Sequence, residues 1–268
     1  MTTPEQNAQN TSWMDFRLRE EAMNHLWDII NNPVGQTQAK GTLAGNLSKS
    51  KYIQDKDDLF YENILKECSE HLYYKEWSNY YSVYVAKNIP PPVFTLTEMW
   101  VNYQKQHEFN PPHFHNGGIG FSFVIFMQIP THWKQQHALP MSANSNMPSV
   151  SDFQFILGQG QGPAQPISIP LSSKDEGRML FFPAWLLHQV FPFFDSEEER
   201  VTISGNIVLE DTKNEIKVLP SGAVVNAQPD SIDEIIERKN NSIKAMENSI
   251  KITKKELERM KKERENEE

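Results

Sequence analysis

Cysteine is nearly absent: Cys68 stands alone among 268 residues, so no disulfide can close within the chain. Long apolar runs are missing as well. No window reaches the roughly 18 apolar residues that a membrane-spanning helix needs. The opening MTTPEQNAQN lacks the basic stretch and apolar run of a secretory signal. The expectation is a cytoplasmic protein with no membrane segment. Positive charge is also in short supply. Lys and Arg number 26 against 35 Asp and Glu, a formal net charge of −9, so no broad basic surface is available to a phosphate backbone. That balance argues against a nucleic-acid partner.

What is present is enough apolar and aromatic material for a core, with 38% hydrophobic residues of which many are Phe and Trp. Residues 1–12 are polar and read as a flexible arm. From Trp13 to Asn31 the residues Met14, Leu18, Met23, Leu26 and Ile30 recur at roughly helical spacing, predicting one amphipathic helix that NNPVGQ ends. Leu59, Phe60, Ile64, Leu65, Cys68 and Leu72 predict a second, from about Asp57 to Tyr74. Beyond these the texture changes. FTLTEMWVNYQ, IGFSFVIFMQIP, SDFQFILG, PISIPL, GRMLFFPAWLLHQVFPFF and RVTISGNIVLE are short aromatic and β-branched runs between Gly, Pro, Asn and Asp clusters. They predict a mainly β domain with flanking helices over 13–228, an antiparallel barrel or sandwich.

Two connections interrupt these runs. Residues 131–150 have no apolar period and read as a long loop, a candidate lid. GQGQGP at 158–163 has neither the Lys-Ser/Thr pair nor the following helix of a phosphate-cradling loop. Past Pro229, Ser231 and Glu234 fit a capping box, and Ile236, Ile243, Ile250 and Leu257 repeat every seven residues. The segment 229–268 is predicted as a long amphipathic helix. Lys239 and Thr253 break its apolar seam, so packing on its own domain and coiled-coil pairing of two copies both remain open.

The segment NPPHFHNGG holds His113 and His115 two residues apart. In extended chain such residues project to one face, and the double proline favours extension on the approach. Imidazole is the commonest side-chain ligand of first-row metals, and a third donor would complete half a coordination sphere. His188, at the end of the apolar run FPAWLLH, is the candidate. The other histidines, His25, His71, His107, His132 and His137, carry weaker signals of this kind. Arg200 follows an acidic turn and opens a strand expected to pair antiparallel with the one bearing His188. Two readings are open for it. It is a surface cation beside Glu197–Glu199, or a guanidinium turned inward to grip a carboxylate through parallel hydrogen bonds.

Taken together, WVNY, NPPHFHNGG, GRMLFFPAWLLHQVFP and RVTISGN resemble the non-haem Fe(II)/2-oxoglutarate-dependent oxygenases, most closely those of phages and marine bacteria. The resemblance covers about Thr42 to Asn206. It implies a double-stranded β-helix, a jelly-roll or cupin-like barrel, with Fe(II) and 2-oxoglutarate at its mouth and O2 and an unidentified substrate as partners. His113 and His188 match metal-binding histidines. Arg200 matches the residue that pairs with the far carboxylate of 2-oxoglutarate, and Thr202 the hydroxyl position two later. Asn102 alternates with Trp100 and by parity faces the pocket, where it could bond the cosubstrate. His115 departs from the pattern by standing where most members have Asp or Glu, leaving the metal one unit more positive. A shifted register would take His115 first, with Gly117 two later, as in halogenating relatives that lack one protein ligand.

The implied activity is hydroxylation of a C–H bond with decarboxylation of 2-oxoglutarate to succinate. A cupin-like three-histidine dioxygenase that needs no 2-oxoglutarate is one alternative. A non-catalytic assembly protein, joined to partners or copies through its heptad helix, is another.

Overall fold

The structure, a computed structural model, describes residues 13–32, 37–39, 43–76, 93–115, 120–158 and 163–210, and two short strands at 217–218 and 224–225. The predicted N-terminal arm and C-terminal heptad helix lie outside the described residues. In chain order run β1 (Met14–Arg17), α1 (Glu20–Asn31), β2 (Thr37–Gln38), β3 (Lys49–Ile53) and α2 (Lys66–Glu76). There follow β4 (Val93–Gln104), β5 (Asn110–His113), β6 (Gly120–Gln128) and α3 (Trp133–His137). Then come β7 (Phe153–Leu157), β8 (Gln165–Ile169), β9 (Arg178–Pro183), β10 (His188–Val190) and β11 (Arg200–Glu210). The fold is mainly antiparallel β with few helices.

Two sheets form. The larger has the order β1-β9-β6-β11-β4-β3-β2 and the smaller β5-β10-β7-β8. From β4 to β11 the chain crosses between the sheets at nearly every step, so sequence neighbours rarely pair and each sheet is filled from distant parts of the chain. One expected pairing fails for this reason. β11 pairs with β4 and β6, whereas β10 pairs with β5 and β7 in the other sheet. The segment between Val190 and Arg200 is a crossover and no hairpin.

Strand parity sorts the side chains into two clusters. On β6, Phe121, Phe123, Ile125 and Met127 join Leu26 of α1 and Leu65, Cys68 and Leu72 near α2 on the outer face of the large sheet. Val124 and Phe126 point the other way and pack with Phe153, Phe155 and Phe182 between the sheets. Both faces of β6 are therefore covered, which is why Phe123–Met127 form an unbroken apolar run. β4 and β11 differ. Their outward residues, among them Met99, Val101, Val201 and Ile203, are buried and apolar, but the alternate positions are Glu98, Trp100, Asn102, Gln104, Arg200, Thr202, Ser204 and Asn206. Apart from Trp100, the inner wall of these two strands is polar.

The predicted helix from Trp13 to Asn31 is shorter than expected. Met14–Arg17 is a strand, paired with β9 in the register Met14↔Phe181. Met-Asp-Phe-Arg alternates, and the alternation wins: Met14 and Phe16 pack on the core while Asp15 receives two hydrogen bonds from Arg178, Nε at 2.8 Å and a terminal nitrogen at 2.6 Å. The second predicted helix forms as a 3-10 turn, a π-helical turn at Tyr61–Leu65 and α2. Asp55 starts it, its two carboxylate oxygens accepting from the backbone of Phe60 and Tyr61 at 3.0 and 2.7 Å.

The chain separates into two compact units, 1–212 with 219–221 and 213–218 with 222–268. The described part of the second includes β12 (Lys217–Val218), which pairs with β13 (Val224–Val225). Among the described residues no helix is long and apolar enough to cross a membrane.

Candidate metal centre

A cavity of about 270 Å³ opens between the sheets and is lined by every residue singled out from the sequence: His113, His115, His188, Arg200, Thr202 and Asn102. β5 ends at His113, directly opposite His188 at the start of β10. His115 lies just past the end of β5, its backbone amide donating to Ala184 O at 2.9 Å and its ring stacked on Trp100 with centroids 6.2 Å apart. The three imidazoles offer one nitrogen each within 4.8 Å of one another.

Their second nitrogens decide what the first can do. His113 Nδ1 lies 2.7 Å from Pro111 O and His188 Nδ1 2.8 Å from Leu186 O. A carbonyl only accepts, so each Nδ1 carries the proton and each Nε2 keeps its lone pair. Burial lowers all three pKa values, His115 to about 4 and His188 well below the ordinary range, with the neighbouring imidazoles adding to the effect on these two. Three neutral rings whose nitrogens lie this close, two of them with tautomers fixed by a backbone carbonyl, are the donor set a divalent first-row cation takes. Among the described residues no other group of three potential ligands comes this close.

Arg200 is only 1% exposed. One terminal nitrogen donates to the backbone carbonyl of Ser151 at 2.9 Å and to its hydroxyl, and the other reaches Gln104 Oε1 at 3.4 Å. Its guanidinium carbon stands 5.1 Å from the Phe193 ring centre. The Nε has no hydrogen-bond partner, and no described carboxylate forms an ion pair with Arg200. Desolvation lowers its pKa to about 10, partly countered by the charge of Asp152. A buried guanidinium without a bonded anion is costly unless a ligand supplies one, and 2-oxoglutarate carries the carboxylate to do so. The residues present thus fit both Fe(II) and the diacid. The surface reading of Arg200 is set aside: Glu199 lies 3.9 Å from Lys49 and Glu197 accepts from Gln106.

Other expectations fare differently. None of 131–150 lines the cavity. That segment contains α3 and is pinned by Gln136, which donates to Phe194 O at 2.8 Å and accepts from Phe194 N at 2.9 Å. It is a packed connection, and the loop residues that line the cavity include Leu43, Ala44, Gly45, Leu47 and Phe114. His25 and His137 sit 3.3 and 2.8 Å from Asp55 and Asp152. Ser151 and Gln104, which hold Arg200, were missed. Parity along β4 extends from Asn102 to Gln104 and Glu98, and along β11 from Thr202 to Ser204 and Asn206, so that signal was available. Ser151 had none, being a loop residue with φ +75° and 49 positions away.

Residues 98–206, from β4 to β11, match the family model described as "Putative 2OG-Fe(II) oxygenase". The match supports the 2-oxoglutarate- and Fe(II)-dependent oxygenase superfamily that the motifs implied, and Fe(II) and 2-oxoglutarate are the cofactors of that superfamily. Among solved structures, the chain is similar to a Pseudomonas putida prolyl-4-hydroxylase, with 12% identity over 74% of this chain and 92% of that one and a TM-score of 0.42. It is similar to a viral collagen prolyl hydroxylase from Paramecium Bursaria Chlorella virus-1, with 10% identity, coverages of 73% and 94% and a TM-score of 0.39. A prolyl hydroxylase from Trichoplax adhaerens gives 10% identity, coverages of 75% and 84% and a TM-score of 0.42. No curated protein matches the sequence.

Proposed function

We propose that the chain is a dioxygenase built on a double-stranded β-helix, with Fe(II) held by His113, His115 and His188 and 2-oxoglutarate held by Arg200, Thr202 and Asn102. The strand layout supports the fold reading: the eight strands β4 to β11 fill two four-strand walls in the orders β4-β11-β6-β9 and β5-β10-β7-β8. The observation that carries the functional reading is the buried Arg200, whose unpaired Nε belongs to a side chain lining the same cavity as the three imidazoles.

Bound together, Fe(II) and 2-oxoglutarate supply O2 activation, so that a substrate C–H becomes C–OH while 2-oxoglutarate and O2 yield succinate and CO2. The protein's part is geometric and electrostatic. Arg200 neutralises the distal carboxylate of the diacid, and Ser151 and Gln104 keep the guanidinium from turning away. Thr202, one pleat along β11, adds a hydroxyl. Asn102, with its Oδ1 occupied by Ser50 Oγ at 2.7 Å, has its amide NH2 left for the cosubstrate. Phe126, Phe153 and Phe182 line the cavity with apolar surface that disfavours water at the reacting centre.

A cupin-like dioxygenase using three histidines without 2-oxoglutarate draws support from His115, which replaces the usual carboxylate. It gives no role to a buried unpaired guanidinium. The discriminating experiment is anaerobic addition of Fe(II) and then 2-oxoglutarate. The expected result is a visible charge-transfer band that appears only with both and is lost in His188→Ala and Arg200→Ala. Iron binding with no response to 2-oxoglutarate would favour the cupin-like reading.

A further inference from the structure

Beyond Trp100, away from Arg200, the cavity ends in a polar group that the metal and the cosubstrate leave unused. Ser122 Oγ donates to Asn206 Oδ1 at 2.7 Å, and Asn206 Nδ2 donates to Glu98 Oε1 at 2.6 Å. All three side chains line the cavity. The Asn206 backbone is held in turn, its carbonyl accepting from Thr97 Oγ1 at 3.1 Å. Because the carboxylate only accepts, it fixes the orientation of the amide, which fixes that of the Ser122 hydroxyl. Every proton in the chain therefore runs toward Glu98, and the second carboxylate oxygen, Oε2, has no partner among the described residues. No described Lys, Arg or His forms an ion pair with Glu98 either.

This end of the cavity offers acceptors and negative charge, the opposite of the Arg200 end. Along β4 the inward residues step from Gln104 to Asn102, Trp100 and Glu98, so the two ends are about 20 Å apart at ~3.3 Å per residue. Trp100, against which His115 stacks, stands between them, about 7 Å from Glu98 on the same scale. A dicarboxylate held at Arg200 cannot also occupy the Glu98 end without placing like charges together. Apolar side chains line the same cavity, among them Leu43, Leu47 and the half-exposed Phe114. An aliphatic stem ending in a cation suits such a channel, and the net charge of −9 draws cations in.

We infer that Glu98, oriented by Asn206 and Ser122, is the subsite that recognises the substrate, and that the substrate carries a primary ammonium or guanidinium group. The target C–H lies a few bonds from that nitrogen. The inference rests on the proposed metal and 2-oxoglutarate centre.

The test starts from the anaerobic protein with Fe(II) and 2-oxoglutarate, whose charge-transfer band reports that centre. n-Butylammonium, N-butylguanidinium, L-lysine and a capped lysyl tripeptide are titrated against it, with butanamide and a capped norleucyl tripeptide as neutral counterparts. Saturable perturbation of the band by the cations, at least tenfold tighter than by the neutral probes, is expected. In Glu98→Gln the band itself should persist while the cation preference falls at least tenfold. Ser122→Ala should weaken it by a smaller factor. The free amino acid and the tripeptide differ in which source of the cation the cavity admits. A normal band with equal response to charged and neutral probes, no response to any cation, or a preference unchanged in Glu98→Gln overturns this inference and leaves the oxygenase reading standing. Absence of the band in the unmodified protein overturns both.

Discussion

His113 and His188 stand directly opposite each other in the β5–β10 pair, with imidazole centroids 4.2 Å apart. Two neutral rings at this distance gain little from each other, and each loses solvation on burial. The arrangement becomes favourable once a cation joins the two Nε2 lone pairs. His113→Ala and His188→Ala should each weaken Fe(II) binding by about 100-fold or more, beyond the roughly 10- to 100-fold that losing an outer-shell partner costs. Anaerobic Fe(II) titration measures this, and far-ultraviolet circular dichroism separates a lost ligand from a lost fold. An affinity within threefold of the unmodified protein would remove these rings from the metal site.

Arg200 makes the opposite demand, because its charge is buried without a bonded anion. An apolar residue of similar length removes the desolvation cost of a buried charge, and Arg200 has no bonded anion that its loss would leave unpaired. Asp152, whose charge acts on Arg200, would not be stranded, since it lies 2.8 Å from His137 Nε2. Arg200→Met should therefore melt at the same temperature as the unmodified protein or higher, while 2-oxoglutarate affinity falls about 100-fold from the loss of charge-assisted bonds of ~1.5–3 kcal/mol each. Thermal denaturation and isothermal titration read the two quantities. A large drop in melting temperature with cosubstrate binding intact would make the guanidinium a structural group.

Much of this site was legible because its chemistry is carried by unusual residues in short motifs. The His113–His115 pair, His188 after FPAWLL and Arg200 each stand out against aromatic strands. Parity on β4 then carried Asn102 to the cavity wall beside Trp100. What escaped was long-range pairing. The expectation that β11 would pair with the His188 strand followed the hairpin rule for sequence neighbours, and the crossover defeats that rule. Met14–Arg17 escaped for a related reason: four alternating residues cannot outweigh a helical period read over the following turns, yet β9 offered an open edge to receive them. Residues 131–150 lack periodicity and so read as a lid, but the buried Gln136 ties the segment to Phe194 through two hydrogen bonds.

Gly205 lies midway along β11, between β4 and β6, and has no room for a side chain. A Cβ there would stand 2.7 Å from the carbonyl oxygen of Glu98 and 2.7 Å from the Phe123 ring. The carbonyl belongs to the paired strand and the ring is fully buried, so neither can yield cheaply. Gly205→Ala should cost about 1–3 kcal/mol in denaturant unfolding, in the range of overpacked cores. Because relief would come by moving Glu98, cation recognition should suffer more than Fe(II) binding. A variant as stable as the unmodified protein would mean that the β4–β11 contact is looser than this spacing.

Cys68 gives the protein a defined response to alkali. The thiol is buried against α1 and the large sheet, and burial pushes its pKa from 9.0 up to about 12. Tyr61 and Tyr103 are shifted in the same direction, also by burial first. In the unfolded chain the thiol ionises near 9, whereas in the folded chain it stays protonated until about 12. Between those values the folded state holds a proton that the unfolded state has released, so stability falls as pH rises, by up to about 1.4 kcal/mol per pH unit for one fully buried group. Below pH 9 the contribution is intact. Urea midpoints should thus be flat from pH 7 to 8.5 and decline toward 10.5, and Cys68→Ala should flatten part of that decline despite a small cavity cost. The native thiol should also react with a disulfide reagent at pH 8 only as fast as the protein opens, against full reaction in denaturant. Rapid labelling of the native protein would place Cys68 at the surface and cancel the predicted pH slope with it.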